Sequence, residues 1–117
     1  MDIEFIRKYC LSFPGVQEMI QWGSSLLFKV GGKIFVMYNL DESDDNKVSL
    51  KCSPEKFREM IEEEGVIPAP YLARNNWICL QEGNKLRISL IKSLIEGSYK
   101  LVFNRLPRRI KQEIGNF

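Results

Sequence analysis

The sequence predicts an α+β domain built on an antiparallel sheet. Three observations predict it. Apolar residues recur at helical spacing at both ends of the chain, strand-like stretches occupy the middle, and a glycine pair joins two of those stretches.

The elements follow in order. Between Asp2 and Ser12, Ile3, Ile6, Tyr9 and Cys10 fall on one side of a helix, and Pro14-Gly15 stops it. Leu26–Val30 and Lys33–Leu40 read as two strands, and Gly31-Gly32 supplies the positive φ that a two-residue hairpin turn requires. After the polar loop Asp41–Asn46, the stretch Lys47–Cys52 alternates. Val48, Leu50 and Cys52 are therefore expected to face the core, and Lys47, Ser49 and Lys51 to face outward. Ser53 is a helix cap, Pro54 suits the first helical position, and Phe57, Met60 and Ile61 form an inward stripe that ends at Gly65. Val66–Asn76, with Pro68 and Pro70, reads as an irregular connection, and Trp77–Leu80 as a strand closing the sheet. From Lys85 the residues Leu86, Leu90, Ile91, Leu94 and Ile95 recur helically. Gly97 is expected to break that helix, and Ser98 to cap a last one carrying Tyr99, Val102, Phe103 and Leu106.

The chain has 117 residues, of which 44% are hydrophobic and 27% charged, a composition suited to one folded domain spanning residues 1–117. No apolar run approaches the roughly 20 residues of a membrane helix. The N-terminus opens with acids and not with the basic segment of a signal peptide, so a cytoplasmic location is expected. Cys10, Cys52 and Cys79 are odd in number, widely spaced and set among apolar residues, which predicts buried free thiols.

Residue types that carry chemistry are sparse. Histidine is absent, which removes the commonest general base and the usual partner of a nucleophilic Ser or Cys. Gly31-Gly32-Lys33 lacks the spacing of a phosphate-binding loop. The acidic loop at 41–46 fails as a calcium loop, with Asn46 where the sharp-turn glycine belongs and Cys52 where the bidentate glutamate belongs. Glu62-Glu63-Glu64 reads as a solvated helix end. Neither an enzyme, nor a cofactor, nor a metal site is expected.

Charge is distributed unevenly. The segment 41–64 holds nine acids and four bases, and the segment 84–117 holds eight bases and two acids. Such asymmetry points to an anionic partner. The candidate phosphate contacts are Lys29, Lys33, Lys47 and Lys51, with Arg105, Arg108, Arg109 and Lys111 at the C-terminal end. Trp22 and Trp77 could stack on bases, but two large aromatics in so small a domain are expected in the core first.

Several strings in their order resemble the MmcQ/YjbR-like family: Tyr9–Val16, Phe28–Phe35, Val48–Glu55, Trp77, Ser98–Val102 and Leu106-Pro107. The resemblance runs nearly end to end. It implies a CyaY-like α+β fold, with helices packed on one face of the antiparallel sheet, and a DNA-binding role, with hairpins approaching the duplex as a double wing. The wings would fall on the Lys29–Lys33 turn and the Asp41–Lys47 loop. Lys29, Lys33 and Lys51 lie on family motif positions and carry over as phosphate contacts, whereas Trp77, Pro14 and Gly15 carry over as structural residues. No catalytic residue carries over. The expected partner is therefore DNA, bound without sequence preference and in a salt-dependent way. The alternative is a non-enzymatic module for a protein or a small ligand.

Overall fold

In the computed structural model, which describes residues 1–115, the helical and strand periods resolve into four α-helices and one six-stranded sheet. Asp2 starts α1 (Ile3–Leu11) by accepting from the amide of Glu4, and Ile6 and Cys10 enter the core from its inner side. Strands β1 (Val16–Gln21), β2 (Ser25–Val30), β3 (Lys33–Asn39) and β4 (Asn46–Lys51) then run as a meander. Helix α2 (Pro54–Met60) follows, with the Ser53 hydroxyl capping the amide of Lys56 and Pro54 at its first turn, as the sequence predicts. Strand β5 (Val66–Pro68), a 3₁₀ turn at Ala73–Asn75 and strand β6 (Trp77–Gln81) precede α3 (Ile88–Asn104) and α4 (Arg108–Ile114).

The sheet order is β1-β2-β3-β4-β6-β5, and every neighbouring pair is antiparallel. Alternation along the strands divides the apolar residues between its two faces. Leu26, Phe28 and Val30 of β2, Val48 and Leu50 of β4, and Ile78 and Leu80 of β6 join the larger core, against which all four helices pack. The other face carries a smaller cluster of Trp77, Cys79 and Ala69 with Ile34, Met37 and Ile67 beside them. The α+β architecture is thus the one the sequence predicts, and the helices lie on one face as the family resemblance implies.

Three local expectations are corrected, and one strand appears for which none was stated. Helix α3 does not break at Gly97 but runs seventeen residues through it, and Ser98 lies mid-helix and fully buried. The β3–β4 pairing ends at Val36 and Leu50, leaving the Phe35 carbonyl and the Lys51 amide just beyond the ladder. The Ser98 hydroxyl serves both: it donates to the Phe35 carbonyl at 2.6 Å and accepts from the Lys51 amide at 2.9 Å. Its work is to join a helix to two strands, which offsets the roughly 1 kcal/mol that Gly97 costs a helix interior.

Val16–Gln21 forms an edge strand that its composition hides, because Glu18 points to the helical face with Val16 and Ile20. Arg7 of α1 meets it there, with Nε and Nη2 both donating to the carboxylate at 2.6–3.1 Å. Val66–Pro68 is a short strand within the expected irregular connection, and it occupies the opposite edge, where proline's missing donor is tolerated. Trp22, expected in the core, sits 75% exposed in the β1–β2 turn, where both it and Gly23 adopt positive φ and hold the side chain clear of the sheet.

Helix α4 closes the end of the sheet over Gly31. At φ +57 this residue needs glycine on conformational grounds, and a Cβ there would stand 2.6 Å from Leu106 Cδ1. The three cysteines are free and buried, as the sequence predicts. Among the described residues no helix is long and apolar enough to cross a membrane.

Candidate functional site

The eight candidate cations divide into a gathered set and a dispersed one. Lys51 ends β4 directly opposite Trp77 of β6. Lys33 begins β3 after the Gly31-Gly32 turn, and Arg105 follows the last residue of α3. Strand polarity brings all three to one end of the sheet, where they line a groove of about 300 Å³. Its apolar wall comes from Ile34, Trp77, Val102, Leu106 and Pro107.

Among the described residues, none of Lys33, Lys51 and Arg105 forms an ion pair with a carboxylate. Burial lowers the pKa of the Lys51 ammonium from its ordinary value, and the neighbouring Arg105 charge lowers it further. A half-buried lysine beside a second cation is a place where an anion relieves repulsion.

Lys29 lies on the sheet face away from the helices, paired across the strands with Ile34 of the groove wall. Arg108 and Arg109 are exposed on α4, immediately after the wall residue Pro107. Lys111 is committed elsewhere, its Nζ donating to the Asn104 carbonyl at 3.1 Å.

Lys47 is corrected. Expected outward, it is only 8% exposed, and its Nζ donates to the Asp41 carbonyl at 2.8 Å. The β4–β6 register shifts between Asn46 and Val48, which disturbs the alternation that places Ser49 and Lys51. Lys47 sits in a recess with Glu42, Asp45 and Glu82, so it neutralises the acidic end and takes no part in the groove.

The two loops expected as wings stand at opposite ends of β3. Six residue steps at roughly 3.4 Å each separate them by about 20 Å, more than twice the screening length of about 8 Å in physiological salt. By the same measure, the acids at 41–46 lie too far from the groove to repel an anion in it. Those acids also hold their own turn: Asp41 accepts from the amide and hydroxyl of Ser43, and Asp44 from the Asn46 amide and the Asn39 side chain. The Ser43 bonds hold the Asp41 carboxyl below its usual range.

A second trench of about 330 Å³ adjoins Lys51 on the helical side, lined by Lys56 and Lys100 over Gly97. Neither lysine is among the sequence-predicted phosphate contacts, and each is held in a helical ion pair, Lys56 with Glu59 at 3.2 Å and Lys100 with Glu96 at 3.0 Å. Nothing lies within 4 Å of a Cβ built on Gly97, so the missing side chain leaves the trench open.

The fold places the chain in a class of small α+β proteins with known relatives. The YjbR family model matches residues 11–101, and the chain belongs to that family. It is 25% identical over 115 residues to the uncharacterised protein YbdF of Escherichia coli, covering 95% of this chain and 92% of that one. The crystal structure of Deinococcus radiodurans protein DR2400, which carries a DUF419 domain, superposes with a TM-score of 0.84 at 21% identity, over 96% of this chain and 86% of that one. A protein from Pseudomonas syringae superposes with a TM-score of 0.72 at 20% identity, over 87% and 99% of the two chains.

Proposed function

We propose that the chain is a non-catalytic nucleic-acid-binding module that grips phosphates with the basic end of its sheet. One observation carries the reading. Lys33, Lys51 and Arg105 converge on one groove without a carboxylate partner among the described residues. Lys29, Arg108 and Arg109 extend the same positive surface. Contacts of this kind give affinity without sequence discrimination, because every nucleotide presents the same phosphate. DNA is the partner the reading favours. The far acidic end leaves the contact surface positive despite a net charge of only +2.

The test is fluorescence anisotropy with labelled random-sequence DNA at about 50 mM and about 200 mM salt. Micromolar binding at low salt and a steep loss at high salt are expected. Lys33→Glu with Arg105→Glu is expected to weaken binding at least about tenfold, the scale of two lost charge-assisted phosphate contacts. Lys85→Ala, at the opposite end and paired with Glu64, is expected to change nothing. No binding at low salt to duplex or single strand overturns the reading.

A further inference from the structure

The basic end is more than a charged surface, because its groove has an apolar interior. A duplex offers a phosphate backbone and keeps its bases stacked inside, so phosphate contact alone has no use for Ile34, Val102, Leu106 and the edge of Trp77 around a recess. The volume, about 300 Å³, lies at the lower limit for small-molecule sites and suits a group the size of one nucleotide. The cations stand around the same recess, where Lys33 enters from the hairpin, Lys51 from the strand opposite Trp77 and Arg105 from the helix end. An apolar recess bordered by unpaired cations is complementary to a flat apolar ring carrying a phosphate.

We propose that this groove seats one unstacked base of single-stranded nucleic acid, with the adjoining phosphates held by Lys33, Lys51 and Arg105. The proposal rests on the phosphate-binding reading and specifies its ligand. The strand lies along the end of the sheet, and its neighbouring phosphates reach Arg108 and Arg109 past Pro107. A duplex binds the same cations more weakly, since its bases stay out of the groove.

The experiment compares two polyanions of equal charge that differ only in their bases. Trp22 is exposed in a turn remote from the groove, and Trp22→Phe leaves Trp77 as the sole indole reporter. This variant is titrated at about 50 mM salt with oligothymidylate of about eight nucleotides and with an abasic deoxyribose-phosphate oligomer of the same length. The expected result is affinity about tenfold higher for oligothymidylate, with a change in Trp77 emission that the abasic oligomer does not produce. Equal affinities overturn the base-seating proposal while leaving phosphate binding intact. A base-dependent affinity without an emission change places the base outside the groove and also overturns it. Binding of neither oligomer removes the parent reading together with it.

Discussion

Lys51 and Trp77 face each other across the β4–β6 ladder, a cation beside an indole at the end of the sheet. Neighbouring strands hold such partners about 5 Å apart, so the pair is fixed by register and not by side-chain flexibility. The charge has no carboxylate partner among the described residues and lies next to Arg105.

This placement sets stability against binding at one residue. Lys51→Met keeps the aliphatic stem and removes a half-buried cation. The variant is expected to melt about 1–3 °C higher than the parent by calorimetry, while losing affinity for a polyanion. Because burial and Arg105 lower the Lys51 pKa below 10.5, the folded ammonium gives up its proton before the unfolded one does. Affinity for oligothymidylate is therefore expected to begin declining below the ordinary lysine value of 10.5 as pH rises in the parent, and to stay flatter in Lys51→Met. A lower melting temperature in that variant contradicts the account of Lys51.

Ser98 supplies one hydroxyl to two backbone groups beyond the β3–β4 ladder. Ser98→Ala leaves a carbonyl and an amide without their partner, and a cost of about 1–3 kcal/mol is expected in urea unfolding. Ser98→Cys, which keeps a weak donor of similar size, is expected to fall between the two. An alanine variant as stable as the parent removes Ser98 as a join between helix and sheet.

Lys47 separates fold from site. With its Nζ on the Asp41 carbonyl amid the acids, Lys47→Ala is expected to lower the melting temperature. Polyanion affinity, measured where the variant remains folded, is expected to stay within about twofold, since the Lys47 ammonium is held among the acids at the other end of β4 and takes no part in the groove. A large loss of affinity with unchanged stability reverses this assignment.

The thiols give a pH signature of their own. Burial pushes Cys10 up to about 12 and Cys52 to about 11, and raises Cys79 as well. All three are expected to resist a thiol reagent at about pH 8 until denaturant is added. A thiol with a raised folded pKa stabilises the fold fully below its unfolded value of 9.0 and loses that contribution as pH climbs toward the folded one. Stability is therefore expected to fall above about pH 9, and a Cys10→Ser variant to show a shallower fall. Rapid labelling of the native protein contradicts this picture.

The elements legible in the sequence are those whose local chemistry agrees with their tertiary role. The Gly31-Gly32 hairpin, the Ser53-Pro54 helix start and the alternation of Val48, Leu50 and Cys52 are of this kind, and each follows from nearest-neighbour rules. The missed features are those in which a distant partner overrides the local pattern. Glu18 faces a helix because Arg7 waits there, Ser98 stays helical because two strands need its hydroxyl, and Lys47 turns inward because Asp41 offers a carbonyl. The candidate cations were visible as residue types. Which of them meet depends on strand polarity and on the path of α3, and neither can be read from spacing along the chain.

The Asp41–Asn46 loop and the Gly31-Gly32 turn cap opposite ends of β3, so acids gather at one pole of the molecule and the groove cations at the other. A body polarised in this way experiences a torque as well as a pull near a polyanion. On the phosphate-binding proposal, collisions are expected to begin with the groove already turned toward the strand, which would raise the rate of productive encounter without adding a contact. Salt would erase that alignment first, so slower association is the expected earliest sign of weakening as ionic strength rises.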